Sequence, residues 1–131
     1  MADSVSTFLM FEGTAEAAMT LYASIFPDSQ ITNLQRYGAG EAGKEGSIKQ
    51  ANLTLCGHNL KCFDSPVKHA FTFTPAISLF VECTDAAEQE SAYRRLVEGG
   101  TELMPLNNYG FSQRFGWVND RFGVSWQLNL K

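Results

Sequence analysis

The chain has 131 residues, 44% apolar and 18% charged, with a net charge of −4; these are the proportions of an ordinary single globular domain with a sizeable core. An acidic balance with no basic cluster argues against nucleic acid and anionic membrane surfaces as partners, since nothing is present to displace their counterions. The longest apolar runs fall far short of the roughly 20 residues of a membrane span, the first residues carry no export signal, and three cysteines without a C-x-x-C spacing fit a reduced, cytoplasmic protein.

Ser6 to Phe11 reads as a buried strand, and Thr14 as the N-cap of a helix over about 14–26 with Glu16 in its first turn. Ala18, Leu21, Tyr22, Ile25 and Phe26 recur at helical spacing until Pro27-Asp28 stops the run. Gln30 to Tyr37 reads as a second strand. The loop Gly38 to Gly46 holds four glycines and is expected to be a mobile hairpin connection; without a G-K-[ST] ending it is not a phosphate loop. Ile48 to Leu55 alternates, with Lys49, Ala51, Leu53 and Leu55 on one face and Gln50, Asn52 and Thr54 on the other. A turn at Cys56–Asn59 leads to a return strand, Leu60 to Asp64, and a proline-bracketed connector, Ser65 to Pro75, separates the halves.

The second half repeats the order of elements. Ile77 to Cys83 is a strand, and Asp85 with Glu88 makes a capping box for a helix over about 85–98 that Gly99-Gly100 ends. Glu102 to Leu106 is a strand and Asn107 to Ser112 a loop. Phe115 to Leu130 is then a hairpin whose turn, Asn119 to Gly123, offers Gly123 for a positive φ. Val124, Trp126, Leu128 and Leu130 fall on one face of its last strand, Ser125, Gln127 and Asn129 on the other.

Each half is therefore strand, helix and three strands, an α+β chain of two βαβββ modules over about 1–66 and 75–131 of one domain. Each helix must cover one face of its sheet. The sets Ala51/Leu53/Leu55, Val124/Trp126/Leu128 and Ile77/Leu79/Val81 are expected under the helices. The opposite parity collects Thr7, Leu9 and Phe11, then Gln50, Asn52 and Thr54, then Ala76, Ser78 and Phe80, then Ser125, Gln127 and Asn129. A wall mixing aromatics with a few neutral polar groups suits a small-molecule cleft; the bland alternative is a face turned to solvent or a partner subunit. The cleft candidates are Thr7, Gln50, Asn52, Phe80, Ser125 and Gln127. Three more join them: Asp64, Phe111 of the aromatic loop, and Arg114, a cation placed to grip a ligand carboxylate or phosphate or else to form a surface ion pair.

The run F-E-G-T-A-E-A-A-M-x-L-Y-x-x-I-F-P-D-S from Phe11, with F-D-S-P, S-L-F-V-E-C and the closing G-W-V-N-D-R-F-G-V-S-W-Q-L, resembles the PhnB-like group of the vicinal oxygen chelate (glyoxalase/bleomycin-resistance) superfamily, whose members often carry the label 3-demethylubiquinone-9 3-methyltransferase. The resemblance covers essentially the whole chain. It implies paired βαβββ modules forming a cupped eight-stranded mixed sheet with helices outside, within a homodimer. Superfamily enzymes place a His, Glu or Gln metal ligand on the first and last strands of each module. Alignment puts Thr7, Asn52, Ala76 and Gln127 there, with Gln50 at a position where many PhnB-like relatives carry His. Neutral donors of this kind suit a transition metal poorly, so no metal or other cofactor is expected. The methyltransferase label finds no Rossmann-type order or glycine-rich loop for an adenosyl cofactor.

His58 and His69 fall in a turn and the connector and read as surface residues. Cys62 reads as a small buried apolar residue, Glu82 as a candidate acid or a plain strand-end charge, and no catalytic residue is evident. The expected function is a PhnB-like protein of unassigned reaction that binds a small metabolite without metal. The alternatives are a metal-dependent lyase, isomerase or dioxygenase and a non-catalytic dimeric binding protein.

Overall fold

A computed structural model describes residues 1–131. The chain forms two compact units, Met1–His69 and Ala70–Lys131, each built as strand, helix, three strands. The first holds β1 (Thr7–Phe11), α1 (Ala15–Ile25), β2 (Ser29–Arg36), β3 (Ile48–Leu55) and β4 (His58–Asp64); the second holds β5 (Leu79–Cys83), α2 (Ala86–Val97), β6 (Thr101–Asn107), β7 (Arg114–Asn119) and β8 (Ser125–Leu130). The eight strands hydrogen-bond as two four-stranded sheets, ordered β1-β4-β3-β2 and β5-β8-β7-β6. In each, the strand before the helix runs parallel to the last strand and the remaining pairs are antiparallel.

Each helix buries one stripe against its own sheet. Ala15, Ala18, Met19 and Tyr22 are the buried residues of α1, and Gln89, Ala92, Tyr93 and Leu96 those of α2, the same i, i+3, i+4, i+7 spacing in both. Beneath α1 lie Ala51, Leu53, Leu60 and Cys62; beneath α2 lie Val118, Trp126 and Leu128, all essentially inaccessible. The two caps differ. The Asp85 side chain accepts from Glu88 N, and the Glu88 carboxylate answers to the Thr84 N–H, so a capping box closes α2, displaced by one residue on its return bond. Thr14 is the N-cap of α1 but makes no side-chain cap bond; the Asp64 carboxylate, from the end of β4, accepts from Gly13 N and Ala15 N instead.

Several expected faces are corrected by the ladders. In β1, Leu9 and Phe11 are buried and register with Cys62 and Asp64, so they face α1, and the exposed face carries Phe8 and Met10. A short buried run has no alternation to set its parity, and only the register with β4 decides it. Lys49 does not join the apolar face of β3: a bulge against β2 leaves Lys49 and Gln50 both exposed, and Lys49 pairs with Glu41 at 2.5 Å. Ile77 is 72% exposed and precedes β5. The glycine loop is tied down rather than loose. Tyr37 and Gly46–Ser47 bond across its neck, Gly38 N donates to Glu41, and Gly43 lies flat on the Tyr37 ring, where a Cβ has no room.

Candidate functional site

With α2 on one side of the second sheet, the other side is open, and the β5–β8–β7 register assembles its residues in rows. Glu82, Asn129 and Phe115 are one row, Phe80, Gln127 and Trp117 the next, and Ser125 and Asn119 the third. Polar side chains in the middle are knit together. Trp117 Nε1 donates to Ser125 Oγ at 2.8 Å, the Ser125 and Ser78 hydroxyls are 2.7 Å apart, and Gln127 Nε2 donates to Ser78 Oγ at 3.1 Å. Two hydroxyl protons serve one hydroxyl–hydroxyl bond, so one remains for an outside acceptor. At the row of Glu82, Asn129 Nδ2 donates to Glu82 Oε2 at 3.2 Å, while Asn129 Oδ1 is buried and has no partner; Asn119 Oδ1 is in the same condition.

An aromatic wall borders these groups. Phe115 is 5% exposed, and Phe80, Tyr109 and Phe111 stand around it with ring centroids at 6.4, 6.3 and 5.1 Å. Phe80 and Phe111 are themselves well exposed, so the wall has a protected centre and an open rim. The hairpin carrying β7 and β8 is fixed by Asp120, whose Oδ1 accepts from Phe122 N and Val124 N and whose Oδ2 accepts from Trp126 Nε1. Gly123 takes φ 89° in that turn.

Of the residues singled out in the sequence, the fold brings Phe80, Phe111, Ser125 and Gln127 to this face. Gln50 and Asn52 lie on the open face of the first sheet, where Phe8 stacks on Phe63 at 5.0 Å and Lys61 Nζ donates to Asn52 Oδ1 at 3.3 Å. The other three belong elsewhere. Thr7 registers with Leu60 on the α1 side and meets His58 Nε2 at 3.0 Å. Asp64 is 3% exposed, and its carboxylate holds Gly13, Ala15 and Ile48 N–H groups; a recess of ≈ 470 Å³ that it lines near the start of α1 therefore meets a carboxylate already committed. Arg114 turns to α2, donating Nε to Gln89 Oε1 at 2.7 Å and Nη2 to Ala86 O at 2.8 Å, while the buried Gln89 amide donates to Arg114 O and Leu128 O. Phe115 and Trp117 read in the sequence only as apolar strand residues. The signal that places them is the length of the β7–β8 turn, which sets their parity against Gln127.

The superfamily metal positions can be tested on the register. Asn52 is on β3, not on the last strand of its module; Ala76 precedes β5 and has no donor; Thr7 faces α1. Facing the open sides from the first and last strands are Phe8, Met10, Lys61 and Phe63 in one unit and Phe80, Glu82, Gln127 and Asn129 in the other. Neither set fits a transition-metal dication, which takes imidazole, carboxylate or thiolate ligands: the first unit offers only the Lys61 ammonium, which repels it, and the second one carboxylate with two amides. No three His, Cys, Asp or Glu side chains are grouped so as to hold a metal ion. The buried thiols are poor nucleophiles as well: burial, reinforced by Asp64, pushes Cys62 up to about 12, and burial with nearby carboxylates pushes Cys83 up to about 11.

A family model described as 3-demethylubiquinone-9 3-methyltransferase matches residues 3–129. The PhnB protein of Bacillus cereus is 49% identical, covering 98% of this chain and 100% of its own, with a TM-score of 0.95. At 14% identity, a glyoxylase/bleomycin resistance protein/dioxygenase domain from Frankia covers 99% of this chain and 93% of its own with a TM-score of 0.64. FosX, a fosfomycin resistance protein of Listeria monocytogenes solved with Mn(II) and a phosphonic acid, is 11% identical over 98% of this chain and 93% of its own, TM-score 0.63. The last two share the fold. No curated protein matches the chain. Neither sheet is a doubly wound parallel one with a glycine-rich strand-to-helix loop, and the methyltransferase name is the label of the family.

Proposed function

We propose, from the premise that the chain belongs to the PhnB-like 3-demethylubiquinone-9 3-methyltransferase family of the vicinal oxygen chelate superfamily, that it binds a small metabolite on the open face of its second sheet and does so without a superfamily-type metal. The observation that carries this reading is the Trp117–Ser125–Ser78–Gln127 network with its spare hydroxyl proton, set against the protected Phe115 ring. Apolar wall and few convergent polar groups are what a small-molecule site combines. The methyltransferase description is a label of the family, and this reading takes no reaction from it.

The test is a thermal-shift screen of a metabolite library, because a molecule that binds the native state raises its melting temperature by mass action. Hits are expected to lose their effect in Phe80→Ala and Gln127→Leu, both substitutions at positions that are not fully buried. Hits that survive both replacements refute the site. One tightly held transition metal per chain, found by elemental analysis and lost in Gln127→Leu, refutes the metal-free half.

We further propose a two-fold homodimer acting in the reducing cytoplasm, with the metabolite and the second copy as its only partners. The free thiols Cys56, Cys62 and Cys83 support the compartment. The unpaired sheet edges at β1, β2, β5 and β6 support self-association, since open edges are commonly covered.

A further inference from the structure

We infer that the ligand of this face is a small organic amine bound as its ammonium ion, held by Glu82 and Asn129 with its apolar body on Phe80 and Phe115; this rests on the reading that the second sheet's open face is the binding face. Three observations at one row of the sheet meet in it. Asn129 is 8% exposed, and its Oδ1 is buried without a hydrogen-bond partner. The amide cannot relieve this by turning over, because Oδ1 would then face the Glu82 carboxylate that Nδ2 now meets at 3.2 Å. A buried acceptor left unpaired costs about 1–3 kcal/mol, which an arriving N–H donor restores.

Glu82 is the second observation. It is exposed, enters no ion pair, and has the Asn129 amide as its one hydrogen-bond partner, so its charge is uncompensated on a face otherwise neutral. The third is the ring pair, 6.4 Å apart and tilted by 36°: Phe115 shares the row of Glu82 and Asn129, and Phe80 stands in the next row on the same face. An ammonium ion supplies what each group lacks. Its N–H bonds go to Asn129 Oδ1 and Glu82, its charge offsets the carboxylate, and the ring faces attract the cation within about 6 Å. A ligand anion at the same place meets a carboxylate and a carbonyl oxygen and is repelled, and a neutral alcohol brings a single donor and no charge.

The experiment titrates the full chain with benzylammonium chloride and, separately, with benzyl alcohol of nearly the same shape, following the Asn129 side-chain amide and the Trp117 indole N–H by NMR. The expected result is a saturable shift of both signals with benzylammonium, roughly tenfold weaker in Glu82→Gln, and weak binding of benzyl alcohol that this substitution does not change. Glu82 is exposed, so the variant retains its fold, and Phe80→Ala, equally exposed, is expected to weaken both probes. Equal affinity for the two probes, an unchanged benzylammonium affinity in Glu82→Gln, or shifts scattered over other acidic surfaces without the Asn129 signal would each overturn the inference. Equal affinity would do so while leaving the binding face itself standing. Metabolite hits lost in Gln127→Leu but indifferent to Glu82 would separate the two in the same way.

Discussion

Asp64 holds main-chain N–H groups of Gly13, Ala15 and Ile48 at 2.8, 3.0 and 2.9 Å, and so joins the end of β4 to the start of α1 and the start of β3. Inside the F-D-S-P stretch it reads as a candidate cleft residue. Its surroundings make it a fastener, because both of its oxygens already accept from backbone N–H groups. Bonds from backbone donors to a buried carboxylate are worth more than neutral ones, and removing the acceptor strands the donors. Asp64→Ala is therefore expected to cost about 3 kcal/mol in denaturant unfolding while leaving ligand shifts on the second sheet unaltered. A cost below about 0.5 kcal/mol, the range of an indifferent surface change, would mean that the carboxylate does not hold these segments.

Among the elements, the two helices, of 11 and 12 residues, show the same burial stripe with opposite solutions at their first turns. In α2 the sequence-local box works: Asp85 caps Glu88 N at 2.8 Å, as a short polar side chain at that position does. In α1 the local candidate, Thr14, makes no side-chain cap bond, and the distant Asp64 holds Gly13 N and Ala15 N at the helix start. Asp85→Ala is expected to lower stability by about 1 kcal/mol, whereas Thr14→Ala stays within about 0.5 kcal/mol. Matched urea unfolding curves of the two variants check this, and equal losses would contradict it. The same contrast runs through the strands. β8 alternates visibly and its faces were legible, while β1 is a five-residue apolar run whose faces are set by pairing with β4.

For the whole molecule, the open edges of both sheets lead to an expected outcome for assembly: light scattering at micromolar concentration gives the mass of two chains, and a monomer's mass refutes the proposed dimer. Charge acts at this scale too. With a net charge of −4, the chain as a whole draws cations toward it, in keeping with an ammonium ligand, although that attraction is weak and screened by salt.

The sequence by itself determined the order of elements, the duplication of strand–helix–strands, the extent of both helices to within a residue or two, and the family, because periodicity, caps and the closing G-W-V-N-D-R-F-G-V-S-W-Q-L are local properties of the chain. It also placed Ser125, Gln127 and Asn129 on one face, since a strand's period of two needs no partner to be read. Tertiary structure alone decided the rest. Thr7 and Asp64 went to the helix side through the parallel register of β1 on β4, and Arg114 went to α2 through the buried Gln89. Trp117 and Phe115 came to the face of Ser125, Gln127 and Asn129 through the turn between β7 and β8. Pairing register and side-chain contacts between distant segments are long-range choices, and no window of sequence contains both partners.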